Sequence, residues 1–267
     1  MSETKTALAV GAHPDDVEFM SAGTLALLKD AGYEPHILTI ANGSCGTMEY
    51  GEADIVRIRG EEADNAAKLM GATYHRGLVK DLEIYYNSEL ARRTCAVVRE
   101  IKPTIVLAPS PNDYMEDHTI SCRLIVTACF CRGMPNFITD PSLPAYGDDC
   151  FIYHANPYGN RDGMRNRVMP ELFVDVGDKI GVKGDMLRCH KSQKNWLDAS
   201  QGQDSYIHTM EGICKDVAQM SGRKDVQYAE GFRRHLFLGL SAADGDPLSE
   251  VLGDRVTKNP DYEKALG

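Results

Sequence analysis

Residues 7–16 have the sequence ALAVGAHPDD, in which an apolar run breaks into a turn that carries one imidazole and two carboxylates. The run at 7–10 has the length and apolar character of a strand buried on both faces, which is typical of a parallel sheet. Gly11 and Pro14 end this strand in a fixed bend. The polar side chains therefore follow the carboxyl end of a strand, where open α/β sheets bind their ligands.

His13 and Asp16 in this turn are candidate metal ligands. They are three residues apart, so their side chains can point towards a common centre. An imidazole nitrogen and a carboxylate oxygen suit zinc, and Asp15 between them is left free to act as a base on a metal-bound water. The alternative is a plain polar turn in which Asp16 caps the following helix, because aspartate is a common N-cap residue.

The composition is that of an ordinary globular protein and excludes some partners. A chain of 267 residues allows one large domain or two small ones, and since no composition shift marks a boundary, we predict a single α/β domain over 1–267. The net charge of -10 argues against a nucleic-acid partner. A candidate basic run, residues 231–235, has only two firmly basic residues. No apolar run approaches the roughly 20 residues of a membrane span.

The cysteines and the N-terminus predict a cytoplasmic location. Residues 1–6 are polar and run directly into the first strand, unlike a secretory signal. None of the eight cysteines forms a C-x-x-C pair, so we expect reduced thiols. Cys129 and Cys131 fall in a predicted helix and are expected to pack. The sequence does not determine the oligomeric state, and it allows a homo-oligomer.

Strand and helix patterns alternate along the chain. Further strands are predicted near residues 36–40, 73–78, 104–108, 151–154 and 173–176, between helices near 21–30, 53–70, 88–101, 118–131, 186–193 and 207–220. This alternation predicts a Rossmann-like, mostly parallel sheet flanked by helices, with the active site at the carboxyl ends of its strands. A second acidic loop, residues 109–118, ends in His118 on the same rim, and residues 156–166 are predicted to form a loop or lid over it.

Four motifs follow one another along the chain: AHPDD at 12–16, Arg59 with Glu62, Asp117-His118, and HKSQ at 190–193. Over about residues 7–240 they resemble the PIG-L or LmbE-like family of zinc-dependent N-acyl deacetylases. Family members include enzymes that deacetylate N-acetylglucosamine groups in the biosynthesis of glycolipid anchors, mycothiol and bacillithiol.

The resemblance implies a metal site and a base. His13, Asp16 and His118 would bind Zn²⁺ or another divalent metal, and Asp15 would be the general base. This agrees with the chemistry of the residues, because three ligands leave an open position for water. Asp117 would support the ligands from behind. The alternative for His118 is a helix-start histidine with no metal.

The resemblance also implies substrate contacts. Arg59 matches a family arginine that holds the substrate, and its alternative is a solvated charge on a helix. Asp81 resembles a family loop aspartate near the sugar, although a plain turn aspartate is an equally good interpretation.

Met115 departs from the family pattern. Many members have a histidine there that helps to stabilise the oxyanion, and methionine cannot donate a hydrogen bond. We predict His190 as the catalytic replacement because it lies in the family-like segment, with His154 as second choice and zinc alone as the other alternative. The remaining histidines, at positions 36, 75, 208 and 235, are expected to be structural.

The predicted function is a metal-dependent hydrolase that removes an N-acetyl or related N-acyl group from a small molecule containing an amino sugar. One alternative is a non-catalytic nucleotide-binding or regulatory α/β module, which the absence of G-x-G-x-x-G after the first strand disfavours. The other is a metal hydrolase that acts on another amide or ester.

Overall fold

Eight strands form one sheet in the computed structural model, which describes residues 5–195 and 205–267 and so leaves most of the polar N-terminal segment outside. The strands are β1 (Thr6–Gly11), β2 (Glu34–Thr39), β3 (Thr73–His75), β4 (Ile105–Ala108), β5 (Phe151–Ala155), β6 (Leu172–Asp175), β7 (Ala229–Arg234) and β8 (Val256–Lys258). Their order is β3-β2-β1-β4-β5-β7-β6-β8. The five neighbouring strands β3-β2-β1-β4-β5 pair in parallel, and the pairs β5–β7, β7–β6 and β6–β8 are antiparallel. The predicted fold, with a sheet mostly parallel in its core, is confirmed.

Helices cover both faces of this sheet. They are α1 (Asp16–Met20), α2 (Ala22–Asp30), α3 (Glu52–Met70), α4 (Ser88–Ile101), α5 (Glu116–Cys131), α6 (Ile180–Arg188), α7 (Ser205–Met220), α8 (Pro247–Leu252) and α9 (Pro260–Leu266). Ala7 and Ala9 of β1 pack in one apolar cluster with α2, and Leu8 and Val10 pack in another with α4 and α5. Alternate residues of β1 thus serve opposite faces, as its continuous apolar sequence requires. Within the described ranges, no helix has the length and apolar character to cross a bilayer.

The strand order places the two acidic loops side by side. From β1 the chain moves outward to β2 and β3, then returns to add β4 and β5 on the other side of β1. The order of the strands therefore reverses between β1 and β4. A crevice forms at such a point, beyond the carboxyl ends of the two strands. The turn at 12–16 follows β1 and the loop at 109–115 follows β4, so both border this crevice.

The C-terminal third differs from the sequence prediction. β7 and β8 were not predicted, because the AEGFRR sequence of β7 lacks the apolar alternation of a strand. The helix expected over 186–193 is α6, which ends at Arg188, and a separate helical segment begins at residue 191. The loop predicted at 156–166 is present, with a single short 3₁₀ turn at Tyr158–Asn160.

A buried ion pair joins β7 to two helices. Lys183 of α6 is fully buried and its Nζ donates to Oε1 of Glu230, which is also buried. Glu230 accepts two further hydrogen bonds, from the backbone N–H groups of Gly23 (2.9 Å) and Thr24 (2.7 Å) in the first turn of α2. Since α1 and α2 directly follow the 12–16 turn, this pair anchors the helices behind it.

We expect Lys183→Met to lower the free energy of unfolding by about 3–5 kcal/mol, because Glu230 would remain buried without its cation. Denaturant-induced unfolding measures this change. The matched control is Lys264→Met, whose partner Asp261 is exposed and whose loss should change the free energy of unfolding by no more than about 0.5 kcal/mol. Equal stability of Lys183→Met and wild type would contradict the prediction.

Candidate metal centre and catalytic cavity

The loops after β1 and β4 bring His13, Asp16 and His118 together. Their ligand atoms all lie within 4.8 Å of one another. Oδ2 of Asp16 is 3.6 Å from Nδ1 of His13 and 3.5 Å from Nε2 of His118. Three converging N and O donors are the protein ligand set of a catalytic divalent cation, with one position left for water.

Each imidazole is oriented by a further carboxylate. Nε2 of His13 donates to Oδ2 of Asp117 at 3.0 Å, and Nδ1 of His118 lies 3.0 Å from Oδ1 of Asp113. Each ring therefore gives its outer N–H to a carboxylate and turns its other nitrogen to the centre, as metal-bound histidines do. Asp117 was expected near the ligands. Asp113 was not singled out, because only the folded loop brings it to His118.

The 12–16 turn is held by Asp16 itself. Its Oδ2 accepts hydrogen bonds from the backbone N–H groups of Ala12 (2.9 Å) and His13 (2.8 Å). A Cβ at Gly11 would lie 2.8 Å from Cβ of Asp16, so only glycine fits there. Asp15 has φ 103°, a backbone conformation that L residues rarely adopt and that is frequent at functional sites.

The electrostatics of this cluster fit a divalent cation. Burial opposes protonation of His13, but hydrogen bonds to Asp117 and Asp16 raise its pKa to about 10. Burial also disfavours the charged form of Asp16, yet the imidazoles of His118 and His13 hold the pKa of that carboxyl well below its usual range. The carboxylates around the two rings thus favour positive charge at this centre, which a bound metal ion would supply.

Asp15 lies beside the cluster with its carboxylate held from two sides. Its Oδ2 accepts a hydrogen bond from the Tyr206 hydroxyl at 2.6 Å and is 3.6 Å from Nη2 of Arg59. Burial raises the pKa of Asp15, while the guanidinium of Arg59 acts in the opposite direction. Tyr206 was missed, because no local pattern links it to a residue 191 positions earlier.

Arg59 and Asp81 line the cavity, and they also organise its loops. Nη2 of Arg59, a residue only 3% exposed, donates to the carbonyl oxygen of Pro14 at 2.7 Å. Asp81 accepts from the backbone N–H groups of Gly43 (2.6 Å) and Cys45 (2.9 Å), one with each carboxylate oxygen. Their substrate contacts stay predictions.

The family-like residues of α3 and of the 190–193 segment contact each other. Glu62 accepts hydrogen bonds from the backbone N–H (2.9 Å) and the hydroxyl (2.7 Å) of Ser192. This contact places the neighbouring Gln193 in the wall of the cavity. Motifs 130 residues apart are thus parts of one site.

A cavity of about 420 Å³ adjoins the cluster. Its size is in the range of small-molecule sites. The apolar part of the wall comes from rings and a thioether, those of Phe19, Tyr114, Met115, Tyr158 and Tyr206. Its polar part carries the carboxylates of Asp15, Asp16 and Asp81, the imidazoles of His13 and His118, and the guanidinium of Arg59.

The structure places His190 differently from the sequence expectation. His190 is fully buried, its Nε2 lies 3.0 Å from Oε1 of Glu18, and it does not reach the cavity wall. His154 is directed elsewhere, towards the Pro109 carbonyl oxygen (3.1 Å) and His235 (2.9 Å). Packing of both rings against internal partners removes them from the wall. Met115 does line the cavity, so the departure from the family pattern lies at the site itself.

Comparisons with known proteins agree with this geometry. The diacetylchitobiose deacetylase of Thermococcus kodakarensis is 30% identical over 239 residues, covering 87% of this chain and 84% of that protein. The 4-oxalmesaconate hydratase of Pseudomonas putida is 30% identical over 238 residues, covering 86% of this chain and 88% of that protein. The structure of N,N'-diacetylchitobiose deacetylase from Pyrococcus horikoshii has a TM-score of 0.73 at 24% identity, covers 92% of this chain and 89% of that chain, and shares the fold.

The PIG-L family model, described as GlcNAc-PI de-N-acetylase, matches residues 8–130. This segment contains the turn after β1, helix α3 and the loop after β4. The family predicted from the HPDD turn is confirmed, and the chain belongs to the PIG-L family.

Proposed function

We propose that this protein is a metal-dependent amidohydrolase that removes an N-acetyl or related N-acyl group from a small molecule containing an amino sugar. The observation that carries the proposal is the carboxylate of Asp15, held beside the three-ligand cluster in a cavity of small-molecule size. The relation to a diacetylchitobiose deacetylase supports this reaction and an N-acetylated sugar as its substrate.

The metal that we propose is Zn²⁺, because two imidazoles and one carboxylate form a donor set that suits it. When bound, the cation would polarise the amide carbonyl and lower the pKa of a water molecule. The protein's own part is to fix the ligands. Asp113 and Asp117 orient the rings, and the backbone N–H groups of the 12–16 turn hold Asp16.

Asp15 moves the proton in this proposal. Its carboxylate takes a proton from the attacking water and later passes it to the leaving amine. Tyr206 and Arg59 keep the carboxylate in place between these two transfers. Met115 offers no donor to the developing oxyanion. Tyr114 and Tyr158 also line this wall.

Hydration of a carbon–carbon double bond is the second candidate, because the relative from Pseudomonas putida is a hydratase of equal identity. Oxalmesaconate is an anionic carboxylate. The guanidinium of Arg59 in this wall already has the Pro14 carbonyl oxygen and the Asp15 carboxylate as partners. Because Asp15 and Asp81 add negative charge beside it, this arrangement favours a neutral N-acetyl sugar over a polyanion or the phosphates of a nucleotide.

We propose a cytoplasmic location and a single domain. All eight cysteines are free thiols, which a reducing compartment maintains. One continuous sheet carries both loops of the site.

An acetate-release assay tests the function. Diacetylchitobiose, N-acetylglucosamine and its conjugates are supplied to the zinc-loaded protein, and acetate and free amine are measured. We expect equal amounts of both products from at least one of these substrates. Unsaturated dicarboxylates form the second arm, followed by loss of ultraviolet absorbance. Hydration without acetate release from any sugar would overturn the proposal.

The variants Asp15→Asn and Asp16→Asn separate the base from a ligand. Asp15→Asn should keep its metal but lower turnover by roughly 10²-fold or more, the scale of a lost general base. Asp16→Asn should lose metal together with activity, because Asp16 is one of three ligands. Elemental analysis of protein prepared without chelators, beside turnover, measures both. Metal loss from Asp15→Asn, or full activity of metal-free wild type, would contradict these roles.

Tyr206→Phe tests the positioning of the base. Loss of the hydrogen bond to a charged carboxylate should lower kcat by about tenfold or more and leave KM and metal content unchanged. The control is Tyr74→Phe, which loses a hydrogen bond to Thr39 (2.7 Å) outside the cavity. Both variants should lose similar stability, but only Tyr206→Phe should lose turnover. An unchanged kcat would show that Asp15 does not depend on this contact.

A further inference from the structure

A second cavity, of about 410 Å³, lies between α5 and the strands β5 and β7. It shares no lining residue with the cavity at His13, Asp16 and His118. It lies on the sheet face covered by α4 and α5, behind the loop at 109–115 that borders these candidate ligands. The proposed reaction does not use this cavity.

The wall of this second cavity is cationic, although the protein has a net charge of -10. Among the described residues, its lining includes no aspartate or glutamate. The arginines that line it, Arg123, Arg233 and Arg234, carry the positive charge, because burial lowers the pKa of the two lining histidines, His154 and His235. A pocket of this charge on an acidic protein indicates a ligand that is itself an anion.

The guanidinium of Arg233 has an N–H group without a hydrogen-bond partner among the described residues. Its Nη2 donates to the Ser110 hydroxyl at 2.9 Å, while its Nε is buried and has no hydrogen-bond partner among the described residues. No described carboxylate forms an ion pair with it, and burial lowers the pKa of Arg233 accordingly. A half-buried guanidinium with an unpaired N–H is unfavourable until an acceptor binds it.

The two other arginines of this wall differ in whether a carboxylate neutralises them. Arg234 is neutralised by Glu171, which accepts from its Nε at 2.5 Å and from its backbone N–H at 2.8 Å. Arg123 is exposed and has no ion pair within the described part of the chain. Its guanidinium carbon lies 4.8 Å from the centre of the Tyr86 ring, a contact that restrains its plane. Arg123 and Arg233 are therefore the two unneutralised guanidinium groups of this wall.

We propose that this cavity binds a small organic oxyanion, a carboxylate or a phosphate ester, through Arg233 and Arg123. The planar guanidinium matches the paired oxygens of both groups, which makes arginine the usual residue for such anions. The volume is in the range of small-ligand sites. Arg233 donates to Ser110, whose hydroxyl donates to the carbonyl oxygen of Asn112. An anion bound to Arg233 would therefore be linked to the loop that carries Asp113.

Isothermal titration with inorganic phosphate and with succinate, at constant ionic strength, tests this site. The proteins are wild type with metal, wild type after metal removal, Arg233→Gln, Arg123→Gln and the control Arg57→Gln. Arg57 is exposed on α3 and pairs with Glu61, far from the cavity wall. Binding of phosphate, of succinate or of both by wild type supports the site and identifies the class of anion.

We expect each cavity variant to weaken binding by about tenfold or more, the scale of a lost hydrogen bond to a charged group. Arg57→Gln and metal-free wild type should bind as the metal-loaded wild type does. If Arg233→Gln does not fold, the exposed Arg123→Gln decides the question alone. The proposal is overturned if wild type binds neither probe, if the cavity variants bind as wild type does, or if binding disappears with the metal.

Discussion

The carboxylate of Asp16 connects the backbone to the chemistry of this protein. Its Oδ2 accepts hydrogen bonds from two backbone N–H groups of the turn after β1, and the same atom faces the imidazoles of His13 and His118. Because these contacts converge on a single atom, the turn conformation and the ligand geometry depend on each other. The same atom holds negative charge between two rings that already donate to carboxylates, an arrangement that a cation at the centre would balance.

The sheet supplies the rigid frame for this centre, and one loop divides it from the second cavity. The reversal of strand order between β1 and β4 opens the crevice, and the Lys183–Glu230 pair fixes α2 behind it. In the loop at 109–115, Asp113 contacts the candidate ligand His118 and Ser110 contacts Arg233. The cavity at the candidate ligands and the arginine-lined cavity thus lie on opposite sides of a few residues.

Local patterns were sufficient to predict the first half of the fold and the clustering of the three candidate ligands. The apolar run at 7–10 and the HPDD turn carry their information within ten residues, so strand, rim position and family follow directly. β7 was missed because the burial of Glu230 depends on Lys183, 47 residues away. His190 was expected on the cavity wall because its segment is family-like, but its pairing with Glu18 is decided by packing between α1 and the end of α6. The sequence contains no local trace of such contacts.

The hydroxyl that holds Asp15 comes from α7, whereas the three candidate ligands all precede residue 120. On the ribosome, the ligand residues therefore emerge well before the helix that orients the base. A nascent or truncated chain that ends after β5 already contains every candidate ligand but lacks the partner of Asp15. Metal content therefore reports on the ligand residues alone, whereas turnover also reports on the docking of α7, so a metal-loaded preparation need not have an oriented base.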